Sequence, residues 1–235
     1  MGTSSAESLE LLARGEITVR GRMPRSSNAT YLVEVTGGDV PLLAVYKPGR
    51  GERLLWDFPP GLFRREVAAW ELSQALGWGL VPPTVRREGP LGEGSLQEFV
   101  RADFAEHYFT LREAEAHRER LLRICAFDLL ANNADRKSGH CLLGPAGRVW
   151  AIDNALTFHA EPKLRTVIWD FGGEPIPAPL LDDVRRVQRA GVPAALADLL
   201  EPAERQALRQ RARALVKAAR FPEDDGGYRY PWPLV

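Results

Sequence analysis

The sequence predicts an α+β fold of two lobes, a strand-rich lobe over residues 1–100 and a mainly helical lobe over residues 101–235. Two observations carry this. Up to Val100 the apolar residues sit in short β-rich runs, interrupted by a single long run at helical spacing. Beyond Val100 helical spacing dominates, and a chain of 235 residues suits one large domain or two tightly joined lobes.

In order along the chain, Ser5 to Ala13 reads as a short helix closed by Gly15. Glu16–Arg22, Tyr31–Thr36 and Pro41–Lys47 read as an antiparallel meander, with MPRSSNAT and the Gly37-Gly38-Asp39 turn between the runs. After a loop rich in Gly and Pro, Leu62–Leu76 places Phe63, Val67, Trp70, Leu72 and Leu76 at helical spacing and stops at Gly77. Thr84–Arg87 and Ser95–Val100 are predicted strands around the turn GPLGEG. Ala114–Leu130 is a strong helix, followed by the polar loop NNADRKSGH and a hairpin, CLLGPAGRVWAI. Helices are predicted near Leu180–Arg189, Pro193–Leu200 and Pro202–Ala219. Most of the six tryptophans read as packing within or between the lobes.

The bulk numbers narrow the class. Lysine plus arginine and aspartate plus glutamate both total 31, which argues against a constitutive nucleic-acid or anionic-membrane binder, normally basic. No stretch approaches the ~20 apolar residues that span a bilayer, and MGTSSAESLELL has no secretory n-region, so the expected location is cytoplasmic. Cys125 and Cys141 lie in apolar runs and read as buried free thiols.

Phosphoryl transfer needs a phosphate cradle, a cation, a carboxylate for the metal and a carboxylate for the attacking hydroxyl. Each has a candidate here. Lys47 ends a strand in AVYKP, and Glu66 follows 19 positions later in the helix RREVAAW. Either residue alone is ordinary, a solvated strand end or a dipole-complementing acid. Together they match a cation held by a helix glutamate and aimed at phosphates. Asp135 lies in the loop after the hydrophobic helix, and Asp153 ends the apolar run Val149–Ile152, 18 positions on. That spacing allows a loop and two short strands, so both carboxylates can return to one site.

DRKSGHCLL followed by VWAIDNALTFH resembles the catalytic and metal-binding segments of the phosphatidylinositol 3-/4-kinase superfamily, and the type II phosphatidylinositol 4-kinases above all. It also resembles an uncharacterised actinobacterial kinase-like family, over about Arg22 to His159. The resemblance implies a bilobal protein-kinase-like fold with ATP and Mg²⁺, or Mn²⁺, between the lobes. By the same carry-over, Asp135 orients or deprotonates the acceptor hydroxyl, Lys47 and Glu66 serve the nucleotide, and Asp153 binds the metal. Ser26, Ser27 and Asn28 match the loop over the phosphates, while Gln97, Glu98, Phe99 and Val100 match the hinge beside adenine.

Two departures shape the reading. Where the family has an asparagine as second metal ligand, five residues past the loop aspartate, this chain has His140. Imidazole suits transition metals better than Mg²⁺. The second is WDFGG at 169–173, which spells a protein-kinase metal motif but follows a proline-containing loop, so Asp170 is set aside as the metal ligand. Only Lys163 and Arg165 stand between Asp153 and Asp170 to meet a lipid headgroup, which favours a protein or small-molecule hydroxyl. A nucleotide-binding pseudokinase, a phosphatidylinositol kinase and an AMP transferase stay open as alternatives.

Overall fold

Alternating burial decides which runs become strands. In β2 (Tyr31–Thr36) Val33 and Val35 face inward, and in β3 (Leu42–Pro48) Ala44 and Tyr46 do, while their neighbours are half-buried. With β1 (Glu16–Arg22), β4 (Thr84–Gly89) and β5 (Gly92–Glu98) they form one antiparallel sheet in the order β1-β2-β3-β5-β4. One helix, α1 (Ser5–Arg14), contributes Leu11 and Leu12 to the sheet's core beside Leu96. The computed structural model describes residues 5–24, 26, 28–226 and 229–235.

α2 (Leu62–Ala75) follows the loop at 49–61, whose Glu52 carboxylate accepts the N–H groups of Gly61 (2.9 Å) and Phe63 (2.7 Å) and so satisfies the helix start. The helical half consists of α3 (Tyr108–Leu111), α4 (Glu115–Ala131), α5 (Ala178–Ala190), α6 (Ala194–Ala197) and α7 (Pro202–Ala218). Between α4 and α5 lies a small hairpin, β6 (Cys141–Leu143) and β7 (Val149–Ala151). The mixed α+β arrangement, an antiparallel sheet followed by helices, agrees with the sequence expectation.

Several boundaries differ for physical reasons. β5 starts at Gly92, because the turn is tight, and ends at Glu98, so Phe99 and Val100 have already left the sheet. The helix expected over Pro193–Leu200 is a single turn, α6, and α3 was too short to give a periodic signal. Trp78 is core at 3% exposure and Trp70, Trp150 and Trp169 are partly buried, in line with packing for most of the six, while Trp56 (96%) and Trp232 (88%) face solvent. Cys125 and Cys141 are buried free thiols, as read from the sequence.

Candidate functional site

Lys47 reaches the site because it lies near the end of β3, where the strand's alternation turns its side chain away from the buried Ala44–Tyr46 face. Its ammonium bonds Glu66 Oε1 of α2 and, at 2.8 Å, Asp153 Oδ1 just past β7. Three segments that are distant in sequence therefore meet on one nitrogen. Burial pulls the Lys47 pKa down, but Asp153 and Glu66 outweigh it and hold it above the ordinary value. Glu66 sits in the second turn of α2, fully enclosed, and burial raises its pKa against the pull of Lys47. Its other oxygen accepts the Asn154 N–H at 3.0 Å, so both oxygens are used.

Asp153 has φ +54, a left-handed backbone that is unusual for a residue other than glycine. Strain of this kind clusters where a side chain must be aimed. Lys47 is the main cause that holds the Asp153 pKa well below the carboxylate range, and the side chain stays half-exposed. Its second oxygen faces His140 Nε2 at 3.4 Å. His140 Nδ1 lies 2.9 Å from the carbonyl oxygen of Asp135 and 3.4 Å from the Lys137 N–H, so the ring is anchored to the Asp135 loop. Burial lowers the His140 pKa to about 4, leaving a neutral ring.

Asp135 stands on the loop after α4, with Lys137 Nζ 3.3 Å from its carboxylate. Burial raises its pKa to about 6, against Lys137, and the charge of Asp153 adds to the rise. A carboxylate tuned there is a base poised near neutral pH.

What holds these loops together was not singled out from the sequence. Arg136 is completely buried and donates to Asp128 of α4 through Nε (2.9 Å) and Nη2 (2.8 Å), to Asn154 Oδ1 at 2.7 Å and to the Ile152 carbonyl at 2.7 Å. It clips the Asp135 loop to the Asp153 segment. The signals were present, an Asp among the apolar residues of α4 and an Arg directly after Asp135, but a surface-like pair of charges is the commoner meaning of such residues. Asp170 is elsewhere: it accepts from the Tyr108 hydroxyl and, at 2.9 Å, from Arg112 Nη1.

The remaining candidates are less tightly gathered. Asn28 Oδ1 accepts the Arg53 N–H at 2.8 Å, which ties the β1–β2 loop to the 49–61 loop. Ser26 is half-buried in the same loop, and Ser27 lies outside the described residues. Gln97 turns inward, its amide donating to Thr84 Oγ1 at 2.8 Å. The N–H groups of Glu98 and Phe99 donate to Pro83 O (2.8 Å) and Leu43 O (2.9 Å). Among the described residues no three His, Cys, Asp or Glu side chains converge as a self-sufficient metal site. Mg²⁺ and Mn²⁺ in nucleotide sites take much of their shell from phosphates and water, so Asp153 with His140 fits that requirement.

No family model matches the chain. Protein Rv2133c of Mycobacterium tuberculosis is 40% identical over 262 aligned positions, which cover 95% of this chain and 94% of that protein. Among solved structures, hydra Fam20 with sugar has a TM-score of 0.59 at 15% identity, covering 91% of this chain and 87% of its own. The Golgi casein kinase with Mn/ADP bound has a TM-score of 0.59 at 13% identity, covering 98% and 80%. The Helicobacter pylori proinflammatory kinase CtkA has a TM-score of 0.53 at 12% identity, covering 89% and 94%. At such identities the likeness is one of fold. That fold is shared with atypical kinases, and it does not single out the phosphatidylinositol kinases named by the sequence resemblance.

Proposed function

The chain belongs to the family of Mycobacterium tuberculosis protein Rv2133c, and on that premise we propose that it is an ATP- and divalent-metal-dependent phosphotransferase acting on a protein or small-molecule hydroxyl in the cytoplasm. The observation that carries this is the Lys47 ammonium bridging Glu66 and Asp153, with Asp135 one short loop away. Lys47 would lie against the nucleotide's phosphates, and Glu66 keeps it aimed. Asp153 and His140 would hold a divalent cation, which supplies charge neutralisation on the phosphates. Asp135 accepts the proton of the acceptor hydroxyl as its oxygen bonds the γ-phosphorus and the bond to the ADP oxygen breaks. The nucleotide would lie where the lobes meet, with their division after Val100. Ser26, Ser27 and Asn28 would lie over the phosphates, and Gln97, Glu98, Phe99 and Val100 would border the base.

Intact-mass spectrometry after incubation with Mg-ATP and Mn-ATP, run beside an ADP-release assay, tests the reading. ADP release or added phosphoryl groups are expected. Added AMP would instead mean nucleotidyl transfer. Nucleotide binding with neither product in either metal would favour a binding module, the reading that His140 in place of asparagine supports.

Two smaller expectations follow from the same geometry. The kcat/KM for ATP should rise with pH around a midpoint near 6, because Asp135 must shed its proton to act and burial holds its pKa at about 6. A profile flat from pH 5 to 8 would remove Asp135 as the base. His140→Asn should move metal preference from Mn²⁺ toward Mg²⁺, lowering the ratio of their activities roughly 10-fold, since an oxygen donor replaces imidazole. A lower melting midpoint with an unchanged ratio would make His140 structural only.

A further inference from the structure

Two consecutive residues at the start of α2 point in different directions. Glu66 reaches the sheet through Lys47. Arg65 reaches the other way, and its guanidinium pairs with Glu204 of α7, 139 positions along the chain, with both residues nearly fully buried. Arg65 Nε also donates to the Thr157 carbonyl at 3.0 Å, four residues past Asp153, and Glu204 Oε2 accepts the Glu201 N–H at 3.0 Å. Arg65 Nε and Nη2 and both Glu204 oxygens are thus hydrogen-bonded, the condition under which buried charges hold one arrangement against others.

The rest of α2 follows Arg65. Ala68, Ala69, Leu72 and Leu76 belong to the same hydrophobic core as Leu121 and Leu130 of α4, Val184 of α5 and Leu208 of α7. The sheet's core is a separate cluster that contains no residue of α2 among those described. At the helix's C-terminal end, Arg186 of α5 donates to the carbonyls of Ala75 (2.9 Å) and Leu76 (3.0 Å), and Trp78 Nε1 donates to Asp183 at 2.9 Å. α2 also lies against β4 and β5 and gives Glu66 to the sheet, while Arg65 and the stripe from Ala68 to Leu72 are turned to the helical lobe.

We propose that α2 moves as part of the helical lobe, clamped by Arg65 and Glu204, so that the Lys47–Glu66 contact forms when the sheet closes onto α2 and not when α2 swings toward the sheet. Arg65 and Glu204 are then positioning residues: they set where Glu66 waits for Lys47. Packed interfaces change by rigid-body movement of whole bodies, and here the joint runs between the sheet and α2. The proposal does not rest on phosphoryl transfer.

Distance measurement between spin labels tests it directly. Gln74→Cys on α2 and Gln210→Cys on α7 make one pair, and Glu88→Cys on β4 with Gln210→Cys makes a second. All three positions are exposed, and the native cysteines are buried. The α2–α7 distance should be a single narrow population that Mg-ATP shifts by less than about 2 Å, while the β4–α7 distance responds to Mg-ATP. In an Arg65→Met/Glu204→Met background, which keeps volume and removes both charges, the α2–α7 distribution should broaden and Mg-ATP affinity should fall roughly 10-fold. Two α2–α7 populations in the wild type, or a narrow distribution and full affinity in the double variant, would overturn the clamp. If the double variant does not fold, Glu204→Gln, which keeps the shape and removes the charge, is scored on the same two readings. A wild type that shows no thermal response to Mg-ATP would sink the nucleotide reading instead, and the unliganded distributions of wild type and variant would still decide the clamp.

Discussion

Asp135→Asn should leave Mg-ATP binding close to wild type and cut turnover by ~10²-fold or more, the usual scale of a general-base contribution. Lys137 Nζ lies 3.3 Å from the carboxylate, and the Lys47 ammonium bonds Glu66 and Asp153, so the substitution leaves the proposed nucleotide ligands in place. Its work comes as the acceptor hydroxyl loses its proton, which affects the transition state more than the ground state. Asparagine keeps the shape and the backbone bond from the Asp135 carbonyl to His140. Turnover is read by ADP release, and binding by thermal shift. Equal losses in both would mean that Asp135 shapes the site and does not serve as the base.

Asp153→Asn should nearly abolish the metal-dependent thermal shift with ATP. For a ligand at 100 times its Kd the expected stabilisation is about 2.7 kcal/mol, or about 5–10 °C in a protein of this size. The substitution removes the carboxylate charge that lies against both His140 and Lys47 and that would offset a divalent cation. It also frees Lys47 from one of its two partners, so the unliganded midpoint will move, and the comparison must be of shifts. Asp170→Asn is the control. Asp170 is held by Tyr108 and Arg112 away from Lys47, so its variant should keep the shift even if it melts earlier. The reverse pattern would place the metal at the wrong aspartate.

The order and type of the elements were legible because apolar spacing and Gly or Pro punctuation act locally. α2 was expected over 62–76 and spans Leu62–Ala75, and the helix expected over 114–130 spans Glu115–Ala131. Short pieces such as α3 escaped because a single turn buries too little to leave a period. Of the candidate site, the pairings Lys47 with Glu66 and Asp135 with Asp153 were expected from spacing, and His140 beside Asp153 from the family resemblance. Gln97 could be placed beside the hinge, but the burial of its side chain against Thr84 could not.

What the sequence alone determined is the list of chemically suited residues and the local elements that carry them, since residue type and periodicity depend on near neighbours. Only the tertiary structure decided that Arg136, a charged residue on a polar loop, is wholly buried as the clip between the two aspartate segments. It alone decided that His140 turns Nε2 toward Asp153, and that Arg65 finds Glu204 across 139 positions. Burial of a charge is favourable only when its partners arrive from elsewhere in the chain, and that arrival is a property of the assembled fold.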